Sequence, residues 1–118
     1  MSIETVVIKI KKAVSEVTDV TIAEMEGKSR KRDIVEARHV SMYFIKLKLP
    51  GLALVKLGKM FGGRDHSSVI HAIESVFNLK EVDWRMKEVY KHVEAKLATV
   101  YLPKYTKQHC QELIGFEL

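Results

Sequence analysis

Apolar residues return at three- and four-residue steps in segment after segment of this 118-residue chain, and no stretch alternates every second residue for a useful length. Such a chain can bury its hydrophobic surface only as packed helices. Val6, Val7, Ile10, Ala13, Val14 and Val17 form one apolar face, predicting a first helix over about 3–17. Thr21-Ile22-Ala23-Glu24 has capping-box spacing and opens a short helix that Gly27 can end. Asp33-Ile34-Val35-Glu36 repeats that spacing before Ile34, Ala37, Val40, Ser41, Phe44 and Ile45, and Pro50-Gly51 stops this longer helix. A short helix with Leu54, Leu57 and Phe61 runs to Gly62-Gly63. The next starts near 65–67 and buries Val69, Ile70, Ile73, Val76 and Phe77. Asp83 caps a last helix carrying Met86, Val89, Tyr90, Val93, Leu97 and Val100, which ends before Pro103. The expected fold is all-α, with about six helices: a helical domain over 1–102 and a C-terminal extension over 103–118.

At this length one modest core is available, and 47% hydrophobic with 30% charged residues is the balance of a folded domain rather than a disordered one. No apolar run reaches bilayer-spanning length, and MSIETVV lacks the features of a signal peptide. Cys110 is the single cysteine, so no internal disulfide is possible and a cytoplasmic, nucleoid-associated setting is expected. The net charge of +5 is unevenly placed. Residues 27–66 hold ten basic and three acidic side chains, whereas 67–118 hold seven of each. An excess gathered in one third of the chain points to a polyanionic partner.

Within and beside that third lies FGGRDHSSVIHA, residues 61–72. A short helix, a paired-glycine turn and a longer helix make a helix-turn-helix, whose second helix offers its N-terminal end to a duplex major groove. Arg64 can fork onto a guanine, and Asp65 can accept from a cytosine amino group. His66, Ser67 and Ser68 can donate or accept. The run KSRKR, residues 28–32, has no apolar anchor and reads as an exposed basic loop. Its Lys31 is expected to touch phosphate.

FGGRDHSSVIHA, with KSRKR upstream, resembles the signature of the DNA-binding domain of the bacterial chromosomal replication initiator DnaA, where two threonines usually follow GGRDH. The resemblance covers about 3–100 and implies a Trp-repressor-like helix-turn-helix that binds double-stranded DNA at initiator-box sites. It implies major-groove contacts from Arg64, Asp65, His66, Ser67 and Ser68, and a minor-groove contact from Arg30. Lys28, Arg32, Arg38 and His39 match positions near the backbone. Leu54 and Val55, with Lys56 beside them, match positions near phosphates and a thymine methyl. Ser67 and Ser68 lack the threonine methyls, Glu36 stands where a basic residue is common, and Ala37 and Val55 replace usual prolines. These departures bear on the target sequence more than on DNA binding itself.

No GxxxxGK[ST] phosphate loop occurs in the chain, so no ATP site is expected in it. Met1 and the long tail favour a stand-alone protein over an excised domain, one that regulates replication initiation or transcription. The alternative is a helical interaction module with vestigial DNA binding. No cofactor is expected, and His66, His71, His109 and Cys110 lack metal-site spacing. Asp65–His66 and His109–Cys110 are sequence neighbours that diverge on a helix, so no enzyme activity is expected. His71 is expected to pack behind the recognition helix, and Phe77, Trp84, Tyr90 and Tyr101 to join the core. The tail, with Tyr105, Leu113, Ile114, Phe116 and Leu118, is expected to fold back or to meet a second copy or protein partner.

Overall fold

A computed structural model describes residues 2–98, and among them six helices and no strand are found. The expected extension from residue 103, with Val100, Tyr101 and Cys110, lies outside the described residues. The first helix, α1 (Ile3–Thr18), starts at Ser2, whose hydroxyl accepts from the Thr5 N–H. Its apolar stripe is buried as the spacing requires. In α2 (Ile22–Met25) the capping box forms in full, Thr21 and Glu24 each accepting the other's backbone N–H.

The long helix α3 (Arg32–Lys48) is the centre of the fold, packed chiefly against α5 (His66–Leu79) and α1. Its burial exceeds one face: every residue from Val40 to Leu47 is enclosed. Lys46 survives inside because its ammonium donates to the Pro50 and Leu52 carbonyls at 3.0 and 2.6 Å, fastening the turn that follows. Lys11 of α1 is handled in the same way. Its Nζ meets Glu26 Oε2 at 2.5 Å and the Met60 carbonyl at 2.9 Å, and lies over the Phe61 ring. The start of α3 departs from the sequence pattern. Lys31, not Asp33, is the N-cap, and it makes no side-chain cap. The Asp33 carboxylate accepts from the next N–H, and Glu36 turns to Arg32 at 2.9 Å and Arg85 at 3.8 Å.

The helix-turn-helix consists of α4 (Leu54–Lys59) and α5, and α6 (Trp84–Lys96) closes the fold against α1. Tyr90 of α6 stacks on Phe44 with ring centroids 4.9 Å apart. Trp84, expected in the core, is 76% exposed. The buried stripe of α6 runs through Met86, Val93 and Leu97. Trp84 stands two residues before Met86, about 200° round the helix, and so misses it. Leu54 takes the buried place that its spacing with Leu57 and Phe61 implies. With Leu57 its side chain faces the core at 1% exposure, whereas that of Val55 beside it is exposed.

Candidate nucleic-acid interface

The basic loop between α2 and α3 is held from beneath by one side chain. Arg38 is only 3% exposed. Its Nε donates to the Met25 carbonyl at 2.8 Å, and its Nη2 to those of Gly27 and Ser29 at 3.3 and 3.1 Å. Arg38, expected near the DNA backbone, spends Nε and Nη2 on these carbonyls while still lining the cleft, so the buried group supports the loop from within the site. Burial, and then the charge of Arg64, lower its pKa. Lys28, Arg30, Lys31 and Arg32 are left exposed above it, and the Ser29 hydroxyl accepts from the Lys31 N–H at 3.2 Å.

Across from the loop, the turn from α4 into α5 depends on two close approaches. Arg64 donates its backbone N–H to the Gly58 carbonyl at 3.0 Å, and a Cβ on Gly58 would lie 2.0 Å from the Arg64 carbonyl oxygen. Gly62, at φ +84°, leaves room for the Glu26 carbonyl oxygen, which a Cβ would approach to 2.4 Å. The glycine turn is thereby seated on the end of α2, next to the basic loop. Arg64 strengthens the junction, its Nη2 donating to the Gly27 carbonyl at 2.9 Å.

Asp65 is the N-cap of α5 and accepts from the Ser68 N–H at 2.9 Å. That bond, with help from the Ser68 hydroxyl, holds its carboxyl below the usual range, so a negative charge sits at the helix start. His66, Ser67 and Ser68 in the first turn are exposed. The loop and this turn form one cleft, lined by Lys28, Arg30 and Arg64 with Asp65, Ser67 and Ser68. Lys31, Arg32, Val55, Lys56 and His66 are exposed outside its lining.

Two histidines share the cleft, with ring centroids 6.0 Å apart and edge to face. Burial first, then the charges of His71, Arg38 and Arg64, lower the His39 pKa to about 4. His39 is therefore a neutral hydrogen-bonding group at neutral pH and adds nothing to the positive field. His71, expected behind the helix, is exposed on the cleft side. It lies one helical turn after Ser67, a spacing that could have located it. Among the described residues no three His, Cys, Asp or Glu side chains are grouped to hold a metal ion. Nor, among them, is any helix long and apolar enough to cross a membrane.

A short helix, a glycine turn against a basic loop, and a second helix with an exposed polar start define a helix-turn-helix domain. Residues 7–76 match the family described as bacterial dnaA protein helix-turn-helix, and the chain belongs to that family. It is similar to proteins named chromosomal replication initiator protein DnaA. The identity is 43% over 87 residues with the one from Mesoplasma florum, and 39% over 88 residues with the one from Oenococcus oeni. These alignments cover 74% and 75% of this chain but only 19% of each relative. With the protein from Mycoplasma capricolum it is 36% identical over 91 residues, covering 77% of this chain and 20% of the relative. The matched part thus spans about a fifth of these relatives' length.

Proposed function

We propose that this domain binds double-stranded DNA at initiator-box-like sites, with the first turn of α5 in the major groove and the basic loop at the adjacent minor groove. The observation that carries the reading is the single cleft shared by Arg30 of the loop and Ser67–Ser68 of α5, which lets two elements grip one duplex from neighbouring grooves. Phosphate neutralisation by Lys28, Lys31, Arg32 and Lys56 supplies affinity without sequence preference. Asp65, His66, Ser67 and Ser68 supply preference through base edges. The two serines keep the hydroxyls of the family's threonines without the methyls that pack on thymine, so the preferred box is read with a softer discrimination at that step.

In this reading the protein is a regulator at such sites, in replication initiation or transcription. The competing reading is an interaction module with vestigial DNA binding, favoured if Glu36, standing where a basic residue is common, opposes phosphate. Glu36 is instead engaged by Arg32 and Arg85, which offsets its charge. A competition titration decides between them, with labelled initiator-box duplex challenged by unlabelled box or scrambled duplex at two salt concentrations. The proposal expects the box to compete better, and affinity to fall about a thousandfold between low and near-physiological salt if about six cations touch phosphate. Equal competition by scrambled duplex would refute it.

A further inference from the structure

We infer that Arg64 is a positioning residue that sets the basic loop at a fixed distance from the recognition helix, rather than a reader of bases. The inference rests on the DNA-binding reading above and names how its two halves are kept in register.

Three observations converge on one point of the chain. The Gly27 carbonyl accepts from Arg64 Nη2 at 2.9 Å and from Arg38 Nη2 at 3.3 Å, so two guanidiniums from different elements close on the same oxygen. One comes from the turn before α5 and the other from the middle of α3. The neighbouring Glu26 carbonyl oxygen lies 2.4 Å from where a Cβ on Gly62 would be, so the backbone of the glycine turn packs on the backbone that leads into the loop. Finally, Arg64 Nε is enclosed and has no hydrogen-bond partner. A fork onto a guanine uses either Nε–H with one terminal nitrogen or both terminal nitrogens together. Here Nε is shut away and one terminal nitrogen is engaged by Gly27. The side chain is thus placed to tie the loop, and Arg30, three residues beyond Gly27, inherits its position from that tie.

The charges make the arrangement conditional on its carbonyls. Arg38 and Arg64 bring like charges to one carbonyl, and the Gly27 oxygen that both donate to offsets part of their repulsion. Losing the Arg64 donor therefore loosens the tie between the loop and the glycine turn while leaving Arg38 and the core beneath it in place.

The test uses Arg64→Met, which keeps the apolar stem and removes the donors, and Arg64→Lys, which restores one donor but cannot fork. In the free protein, hydrogen exchange at the Gly27 and Lys31 amides, which donate to the Glu24 carbonyl and the Ser29 hydroxyl, is expected to speed up in Arg64→Met, to return most of the way in Arg64→Lys, and to be unmoved by Ser67→Ala. Loop exchange unchanged in Arg64→Met overturns the inference whatever DNA does. On initiator-box duplex, Arg30→Ala is expected to weaken binding on the order of tenfold in the parent and far less in Arg64→Met, because the loop has already lost its place. Additive losses, with preference relaxed at a single base pair and no rescue by lysine, would assign Arg64 to base reading. Equal losses on every duplex, with the salt slope reduced by about one, would assign it to phosphate. Either result overturns the inference. If the parent protein fails to distinguish box from scrambled duplex, the DNA-binding reading fails, and the exchange measurement still decides whether Arg64 ties the loop.

Discussion

Two turns of this molecule look alike locally and differ in everything around them. The turn into α5 and the turn into α6 both end on an aspartate whose carboxylate accepts the N–H three residues on, from Ser68 at 2.9 Å and from Met86 at 3.0 Å. The second closes on its own backbone, with the Val82 and Asp83 N–H groups both reaching the Leu79 carbonyl, and it leaves Val82 and Trp84 exposed. The first is seated against another element: its glycines admit the Glu26 carbonyl, and Arg64 crosses to Gly27. Capping chemistry starts a helix anywhere. What turns a helix start into half of a candidate site is the basic loop held opposite it.

The largest contrast between the two regions should appear in stability. In Gly58→Ala the new Cβ would fall 2.0 Å from the Arg64 carbonyl oxygen, a backbone atom that cannot swing aside. Urea unfolding should show a loss of ~3 kcal/mol or more, as overpacking against fixed neighbours does. Trp84→Ala, at the exposed turn, should stay within about 0.5 kcal/mol of the parent. Comparable losses in the two variants would break the comparison.

A smaller effect separates the regions by pH. His39 belongs to the cleft, and its folded pKa of about 4 lies below its unfolded value near 6.5. The unfolded chain therefore takes up the proton first. The associated stability is whole above about pH 6.5 and is lost as pH falls through about 4, on the order of 2 kcal/mol after discounting for partial exposure. Thermal melts of His39→Gln should be flatter across that window than those of the parent. An unchanged slope would mean that the cleft does not shelter His39 in solution.

How much of this contrast is legible in the sequence can be judged residue by residue. Periodicity locates the helices because burial of one stripe is a local rule, and Thr21–Glu24, Asp65 and Asp83 cap as their spacing implies. The Arg-Asp-His signature and the basic run are legible for the same reason. What escapes a local rule is the partner of a long charged side chain. Arg38 and Lys46 belong to the basic third of the chain, yet both are buried on carbonyls supplied by chain segments that tertiary folding brings to them. Leu54, Leu57 and Phe61 are buried as their spacing implies, with Val55 left outside. Trp84 escapes because aromatic character outweighs its place off the stripe in a pattern reading.

A third prediction concerns DNA. Lys31 is exposed on the loop and Lys87 is exposed on α6, two helical turns or fewer from the plain turn. If the cleft side alone meets phosphate, Lys31→Ala should weaken box and scrambled duplex alike and lower the salt slope by about one, with Lys87→Ala indistinguishable from the parent. Matching losses from both lysines would mean that the charged surface is bound without regard to the cleft.

The smallest effect is the most discriminating, because it perturbs the feature that the two turns share. Asp65→Ala and Asp83→Ala each remove an N-cap, and each should lower the melting temperature by only a few degrees. For Asp65 the sign with pH follows from its depressed folded pKa. The cap's contribution is present above the ordinary carboxylate range and disappears as pH falls through the folded value, so the parent and Asp65→Ala melts should converge in acid. The two variants should part company on DNA. Losing the Asp83 cap frays a helix start whose residues do not line the cleft, and box binding should be unchanged. Losing the Asp65 cap loosens the first turn that carries His66, Ser67 and Ser68 and removes a candidate acceptor for a cytosine amino group, so preference for box over scrambled duplex should narrow. Equal stability losses with equal, unchanged DNA preference would show that both aspartates serve the fold alone and that base reading lies elsewhere on the cleft.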